Sequence, residues 1–262
     1  MEVSTYSMSQ EDSERDKRAR DVRAYLYSTV VNRWQILGEN FVPVTRLSHR
    51  EGGDIYRLEA DAHNTLVILN FMREVHKELY AALNDDLSWL LSHVQETTVN
   101  VSRSTGDMEL FIYENARNGK LARTISSGTL RCLAMLTAVY ALDMPQQEEL
   151  IRETKPLTPS APGLIAIEEP DTALNPDILD KFVELLRTYT TRADRPRQFI
   201  LTTHNPAFLD YFEPDEVRIV ERDADGYTSV RPIDDDVRKT LLTKYTLGEV
   251  WKMRALGAIP DA

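Results

Sequence analysis

The chain has 262 residues, 42% hydrophobic and 28% charged, with a formal net charge of -11. Length and balance fit one large or two small globular domains, and the acidic excess argues against a broad nucleic-acid surface while leaving a local basic patch open. The single Cys132 excludes an internal disulfide framework and fits a reducing cytoplasm. Met1–Asp21 lacks a signal-peptide pattern, and the longest apolar run, Leu133–Leu142, is too short for a membrane span. A cytoplasmic location without a membrane role is therefore expected.

In chain order, residues 1–17 are rich in Ser, Glu and Asp and read as a disordered lead-in. Val22, Tyr25, Leu26, Val30 and Trp34 recur at helical spacing. Gly38–Gly53 is a loop whose Arg46 and His49 are expected at the surface. The apolar faces of Leu66–Val94 predict two helices that part near Asn84-Asp85-Asp86. His76 and His93 are too far apart to share one helix face as metal ligands. Thr98–Ser102 and Met108–Tyr113 alternate around a Gly-containing turn and predict a hairpin. A further turn at Asn118-Gly119 leads to an apolar helix over Leu130–Leu142, where Cys132 is expected to fill core. Asp143–Pro162 is a proline-rich loop. A second hairpin is predicted from Val217–Glu221 and Tyr227–Arg231, then a solvated acidic run at Asp234–Asp236 and a terminal helix over Leu247–Leu256 around Trp251.

The chemistry concentrates in Gly163–Asp177. Leu164–Ile167 is an apolar run between Gly163 and the Glu168-Glu169-Pro170 triplet, and it reads as a fully buried parallel strand. Two carboxylates at the carboxyl end of such a strand stand where open α/β sheets bind ligands. Mg²⁺ favours such hard oxygens together with substrate phosphates, and a neighbouring carboxylate can deprotonate a water. The plain alternative is a solvated Glu-Glu at a strand end. Asn175 is a credible N-cap before Pro176, and the helix that follows carries a wide apolar face to Thr190. Phe199–Thr202 is a second strand, ending in Thr203 and His204, so strand, helix and strand form a parallel βαβ unit. Upstream, Ile125–Arg131 opens the apolar helix with Ser126-Ser127-Gly128-Thr129, a pattern that caps a helix or cradles an anion at its N-terminus.

The order of these parts resembles the carboxyl-terminal half of an ABC-type ATPase. The branch it is most similar to is that of the RecF, SMC and overcoming-lysogenization-defect ATPases and bacterial defence ATPases. The resemblance is densest from Thr124 to Asp210. It implies an α/β fold: the carboxyl-terminal lobe of an ABC/RecF-like P-loop ATPase with a helical and β-hairpin lid. In domains, this means a lid over 18–122, an ATPase lobe over 123–232 and a helical tail over 233–262. It further implies ATP and Mg²⁺ as cofactors. Glu168 would hold the Mg²⁺ shell, Glu169 would be the general base, and His204 the switch histidine at the γ-phosphate with Thr203 beside it. Ser126, Ser127, Gly128 and Thr129 would form a signature loop acting on nucleotide bound by an opposite protomer. Asn175 stands where the family has an acid in the loop that crosses the dimer interface. The phosphate-loop pattern G-x-x-x-x-G-K-[ST] does not occur in the 262 residues: the one Gly-Lys pair, Gly119-Lys120, is followed by Leu121. Either another chain supplies that loop, or the sequence is part of a longer gene product, or hydrolysis has been lost; on the first of these the resemblance implies a partner chain bearing the loop, with two composite units sandwiching ATP as an oligomer. Such a device would switch an effector or DNA, as in DNA maintenance or phage defence, with direct DNA contact left open. A non-catalytic scaffold that retains the fold is the rival reading. A nuclease built on the Glu pair is weaker, because no further acidic or His cluster stands at suitable spacing.

Overall fold

The computed structural model describes residues 18, 34–48, 51–114, 120–121, 125–144, 163–192, 197–222 and 225–256. Most of the expected first helix, the Asn118-Gly119 turn and most of the proline-rich loop lie outside the described residues. The chain forms two compact units, Met1–Ile167 with Arg187–Ile200, and Glu168–Leu186 with Leu201–Ala262.

The first unit holds a parallel pairing that joins distant segments. Strand β1 (Trp34–Leu37) pairs in parallel with β6 (Gly163–Glu168), Trp34 opposite Leu164 and Leu37 opposite Ile167. Strand β7 (Arg197–Thr202) lies on the other side of β6. Trp34 therefore begins a strand rather than continuing a helix. Four residues carry little periodicity of their own, and the parallel partner in the distant acidic segment sets their conformation. The sheet also departs from the fully buried strand expected for β6. Ile165 and Ile167 are buried, but Leu164 and Ala166 are partly exposed, on the register of exposed Trp34 and Ile36.

A four-stranded antiparallel sheet forms a second layer of this unit. It comprises β2 (Arg46–Leu47), β3 (Val94–Val101), β4 (Met108–Glu114) and β5 (Lys120–Leu121), with β4 between β2 and β3. The expected hairpin is present as β3 and β4, and its turn places Gly106 at φ 75°, which favours glycine. Helices α1 (Thr65–Val75) and α2 (Lys77–Leu90) divide at His76, not at Asn84-Asp85-Asp86. Asn84 stays helical because its buried amide is engaged on both sides. Its Oδ1 accepts from Thr97 N at 2.7 Å, and its Nδ2 donates to Tyr80 O at 2.9 Å. Helix α3 (Ser127–Ala141) is buried along nearly its whole length, Cys132 included. It packs on α1 and α2, so apolar residues all round suit it better than an amphipathic stripe.

The second unit holds the loops after β6 and β7 and the carboxyl-terminal elements. Helix α4 (Pro176–Thr191) starts here, with Asn175 Oδ1 accepting from Ile178 N at 2.9 Å, the expected cap. Helix α5 (Pro206–Leu209) is capped by Asn205. The predicted second hairpin is β8 (Arg218–Arg222) with β9 (Thr228–Pro232). Helices α6 (Asp235–Thr240) and α7 (Leu247–Lys252) complete the unit, α7 opened by a Thr246–Glu249 capping box. Ile219, Ile233, Leu247, Val250 and Leu256 form its core.

Candidate functional site

Strand β6 delivers its carboxylates at its last residue. Glu168 is exposed, and Glu169 leaves the strand with φ 46°, a left-handed conformation costly for a side-chain-bearing residue. Bonds on both sides of the peptide hold this turn. The Glu169 N–H donates to Thr202 O at 3.1 Å and to Thr202 Oγ1 at 3.2 Å, and Glu169 O accepts from Thr172 N at 3.1 Å. The strained backbone aims the Glu169 side chain at a fixed place. There, Thr172 Oγ1 donates to Glu169 Oε2 at 3.2 Å, while Glu169 Oε1 lies 3.7 Å from His204 Nε2. The Glu169 side chain is 27% exposed and that of His204 75%, so the pair opens to solvent from a half-sheltered carboxylate.

The loop after β7 is organised from the same side. Thr203 Oγ1 donates to Asp171 Oδ1 at 3.0 Å and accepts from Asn205 N at 2.9 Å. Asn205 Oδ1 accepts from Ala207 N at 3.0 Å and starts α5. Thr203 is thus a brace between two loops that holds His204 in place. Ala173, at φ 65°, makes a second left-handed turn before Asn175. Asn175 caps α4 through its side-chain oxygen, as expected of it.

The second unit therefore gathers Glu168, Glu169, Thr203 and His204, with Asn175 at the end of the same loop. Sequence reasoning missed Thr172, Asp171 and Thr202. Their signal was present as hydroxyls and a carboxylate within three residues of the Glu pair or of His204. The Ser126–Thr129 stretch belongs to the first unit. Ser126 Oγ accepts from Thr129 N at 3.2 Å and lies 2.9 Å from Thr129 Oγ1, so its hydroxyl caps α3. Ser127 is exposed, and Gly128 and Thr129 are buried. Arg131, one turn on, is 3% exposed and donates to Glu39 O at 2.9 Å. Its guanidinium stacks 4.0 Å over the Phe41 ring, fastening the loop after β1 to the helix.

The donor chemistry at the end of β6 fits a hard divalent ion. Glu168 and Glu169 offer carboxylate oxygens in the number that Mg²⁺ takes when phosphate and water complete its shell.

The mixed α/β architecture thus sets two carboxylates at one strand end and a histidine after the neighbouring strand. The chain belongs to family AAA_21, described as "AAA domain, putative AbiEii toxin, Type IV TA system", which matches residues 12–210. No curated protein matches the sequence. Among solved structures, the chain is similar to an SMC ATPase described under ATP-driven dimerization and DNA-stimulated activation. That match has 14% identity and a TM-score of 0.42, and covers 67% of this chain and 94% of the other. It is similar to the SMC head domain from Thermotoga maritima, at 14% identity and TM-score 0.40, covering 64% of this chain and 52% of that one. The Smc head domain from Pyrococcus furiosus, bound to the C-terminal domain of ScpA, matches at 15% identity and TM-score 0.42, over 67% of this chain and 39% of that one. The chain thus spans about half or less of the latter two. Among the described residues, no helix is long and apolar enough to cross a membrane.

Proposed function

We propose that this chain supplies the hydrolytic half of a composite ATP site. The observation that carries the reading is the Glu169 carboxylate, held by a left-handed turn between the Thr172 hydroxyl and the His204 imidazole. In this reading a water lies against Glu169 and the γ-phosphate of ATP. Its oxygen forms the new P–O bond, the bond to the β-phosphate oxygen breaks, and the water proton passes to a Glu169 oxygen. Thr172 keeps the carboxylate oriented, and His204 presents an N–H to the γ-phosphate oxygens. Mg²⁺, when bound, neutralises charge on the phosphates, and Glu168 holds its shell. The work is positioning and charge stabilisation. The α3 N-terminus, with the first-turn N–H groups of Ser127 and Gly128, faces nucleotide on a second protomer.

The phosphate loop comes from a partner segment bearing G-x-x-x-x-G-K-[ST]. Two composite units close on two ATP molecules, and closure acts as a switch in a defence or DNA-maintenance system. The family description, with its mention of a toxin and a toxin–antitoxin system, supports the defence setting. The test is to capture the tagged chain at native level, identify co-purifying proteins by mass spectrometry and assay the complex for ATP turnover. A partner with the phosphate loop is expected, and Glu169→Gln should slow turnover by about 10²–10⁴-fold while ATP stays bound. Unchanged turnover in Glu169→Gln would remove Glu169 from the chemistry. A chain recovered alone that binds no nucleotide would favour a scaffold.

A further inference from the structure

Away from the Glu168–Glu169 site, the loop before α1 gathers a second set of donors. Among the described residues, Glu59, Asp61 and His63 form the one group of three whose ligand atoms all lie within 4.8 Å of each other. The imidazole is its centre: His63 Nδ1 is 3.0 Å from Asp61 Oδ1 and 3.3 Å from Glu59 Oε2. Two atoms each about 2.1 Å from one ion are about 3.0 Å apart at 90° and about 3.4 Å apart at a tetrahedral angle. As it stands the 3.0 Å contact is a hydrogen bond and the 3.3 Å contact an ion pair; an ion that replaces the Nδ1 proton would meet the imidazole and both carboxylates near the spacing of cis ligands, with little movement of the loop. Bonds from outside it fix the loop that presents it. Asn64, fully buried, accepts from Glu59 N at 2.9 Å and donates to Asp54 O and Arg57 O at 2.8 Å. Gln35 of β1, also fully buried, accepts from Leu58 N at 3.0 Å, and Gly38 N donates to Ala60 O at 2.9 Å.

These last two bonds decide where the set sits. They fasten it to the carboxyl end of β1, the edge at which parallel α/β sheets take ligands. Pre-organised ligands on a braced loop lose little entropy on binding.

We propose that Glu59, Asp61 and His63 form a binding site for a zinc-class divalent ion, separate from the Mg²⁺ expected at Glu168. One imidazole with two carboxylates suits Zn²⁺ and the neighbouring transition metals, whereas Mg²⁺ and Ca²⁺ prefer oxygen alone. Three protein ligands leave at least one position for water or for a donor from another molecule. This site stands independently of the ATPase reading.

The test uses the untagged full chain, stripped with chelator and titrated with Zn²⁺ by calorimetry and with Co²⁺ by visible absorption. One equivalent should bind, Mg²⁺ in excess should not displace it, and the Co²⁺ bands should report a nitrogen ligand. His63→Gln and Asp61→Asn should each weaken binding by at least about tenfold with the circular dichroism unchanged, while His204→Gln retains the ion. Asp61→Asn still accepts the loop hydrogen bond, so its loss of metal is not a loss of fold. Absence of saturable binding, or binding that survives His63→Gln and fails in His204→Gln, overturns the proposal.

Discussion

The turn after α3 and the first residue of β7 are joined by a buried ion pair, Asp143 with Arg197, each side chain 2% exposed. Arg192 approaches Asp143 at 3.8 Å from a more open position, with its side chain 35% exposed. Asp143→Ala leaves the Arg197 guanidinium in a dry environment with Arg192 as a like-charged neighbour. Removing one partner of such a pair costs about 3–5 kcal/mol, because the surviving charge loses both water and its counter-charge. That is a large part of the roughly 5–15 kcal/mol that holds a domain folded. Arg197→Met should cost less, about 3 kcal/mol, because Arg192 can move onto Asp143. The double variant Asp143→Leu/Arg197→Met removes both charges and should regain most of the loss. Urea unfolding of the full chain, followed by circular dichroism and tryptophan fluorescence, reads all three. A cost under about 1 kcal/mol for Asp143→Ala, or a double variant no better than the worse single one, would refute the reasoning.

Other tests bear on the second unit and on pH. A Cβ at Gly248 would lie 2.2 Å from Pro206 O and 2.8 Å from Pro206 C, both backbone. Gly248→Ala should therefore push α7 off α5, at a cost of about 1–3 kcal/mol, read as a lower melting temperature and faster proteolysis after Ile233. Glu169→Gly should leave stability equal or higher, since glycine accepts φ 46° freely, yet abolish turnover of the reconstituted complex. A fall in melting temperature would show that the turn is not strained. Burial pushes the Cys132 thiol up to about 12 and raises the Tyr140 and Tyr189 hydroxyls. The folded chain keeps these protons where the unfolded chain sheds them. Stability from this source is full below the thiol's ordinary value of 9.0 and is lost as pH climbs toward 12, by up to about 1.4 kcal/mol per pH unit for each group. Urea midpoints that stay level from pH 8 to 11 would contradict this.

What was legible in the sequence was local. The hairpins announced themselves by alternation and Gly-containing turns, the α4 cap by Asn175-Pro176, and α3 by an unbroken apolar run. The acidic strand end and His204 were visible because each directly follows a short apolar strand. β1 was hidden, since Trp34–Leu37 takes its conformation from residues far along the chain. The break at His76 was hidden because Asn84, by composition a helix stopper, is held in α2 by Thr97 on another strand. The left-handed turn at Glu169 was equally invisible: nothing in a glutamate signals positive φ, and only the bonds to Thr202 and Thr172 fix it. Glu59, Asp61 and His63 went unread, since the sequence showed no acidic or His cluster at suitable spacing; what brings them together is a loop braced by Gln35 and Asn64 from positions their own spacing does not reveal.

The pairing of Trp34 with Leu164 has a consequence during synthesis. At about 5–20 residues per second, β1 leaves the ribosome roughly ten seconds before its partner exists. Through that interval the Leu37 side chain, fully buried in the folded chain, and the backbone of β1 have no β6 to pair with, while α1, α2 and the β3–β4 hairpin, whose contacts are near in sequence, can already form. Early folding should therefore be confined to this local layer, with the parallel sheet closing late. Ribosome-stalled chains ending before Gly163 should bind chaperones that capture exposed apolar strands, and those ending after Thr202 should release them.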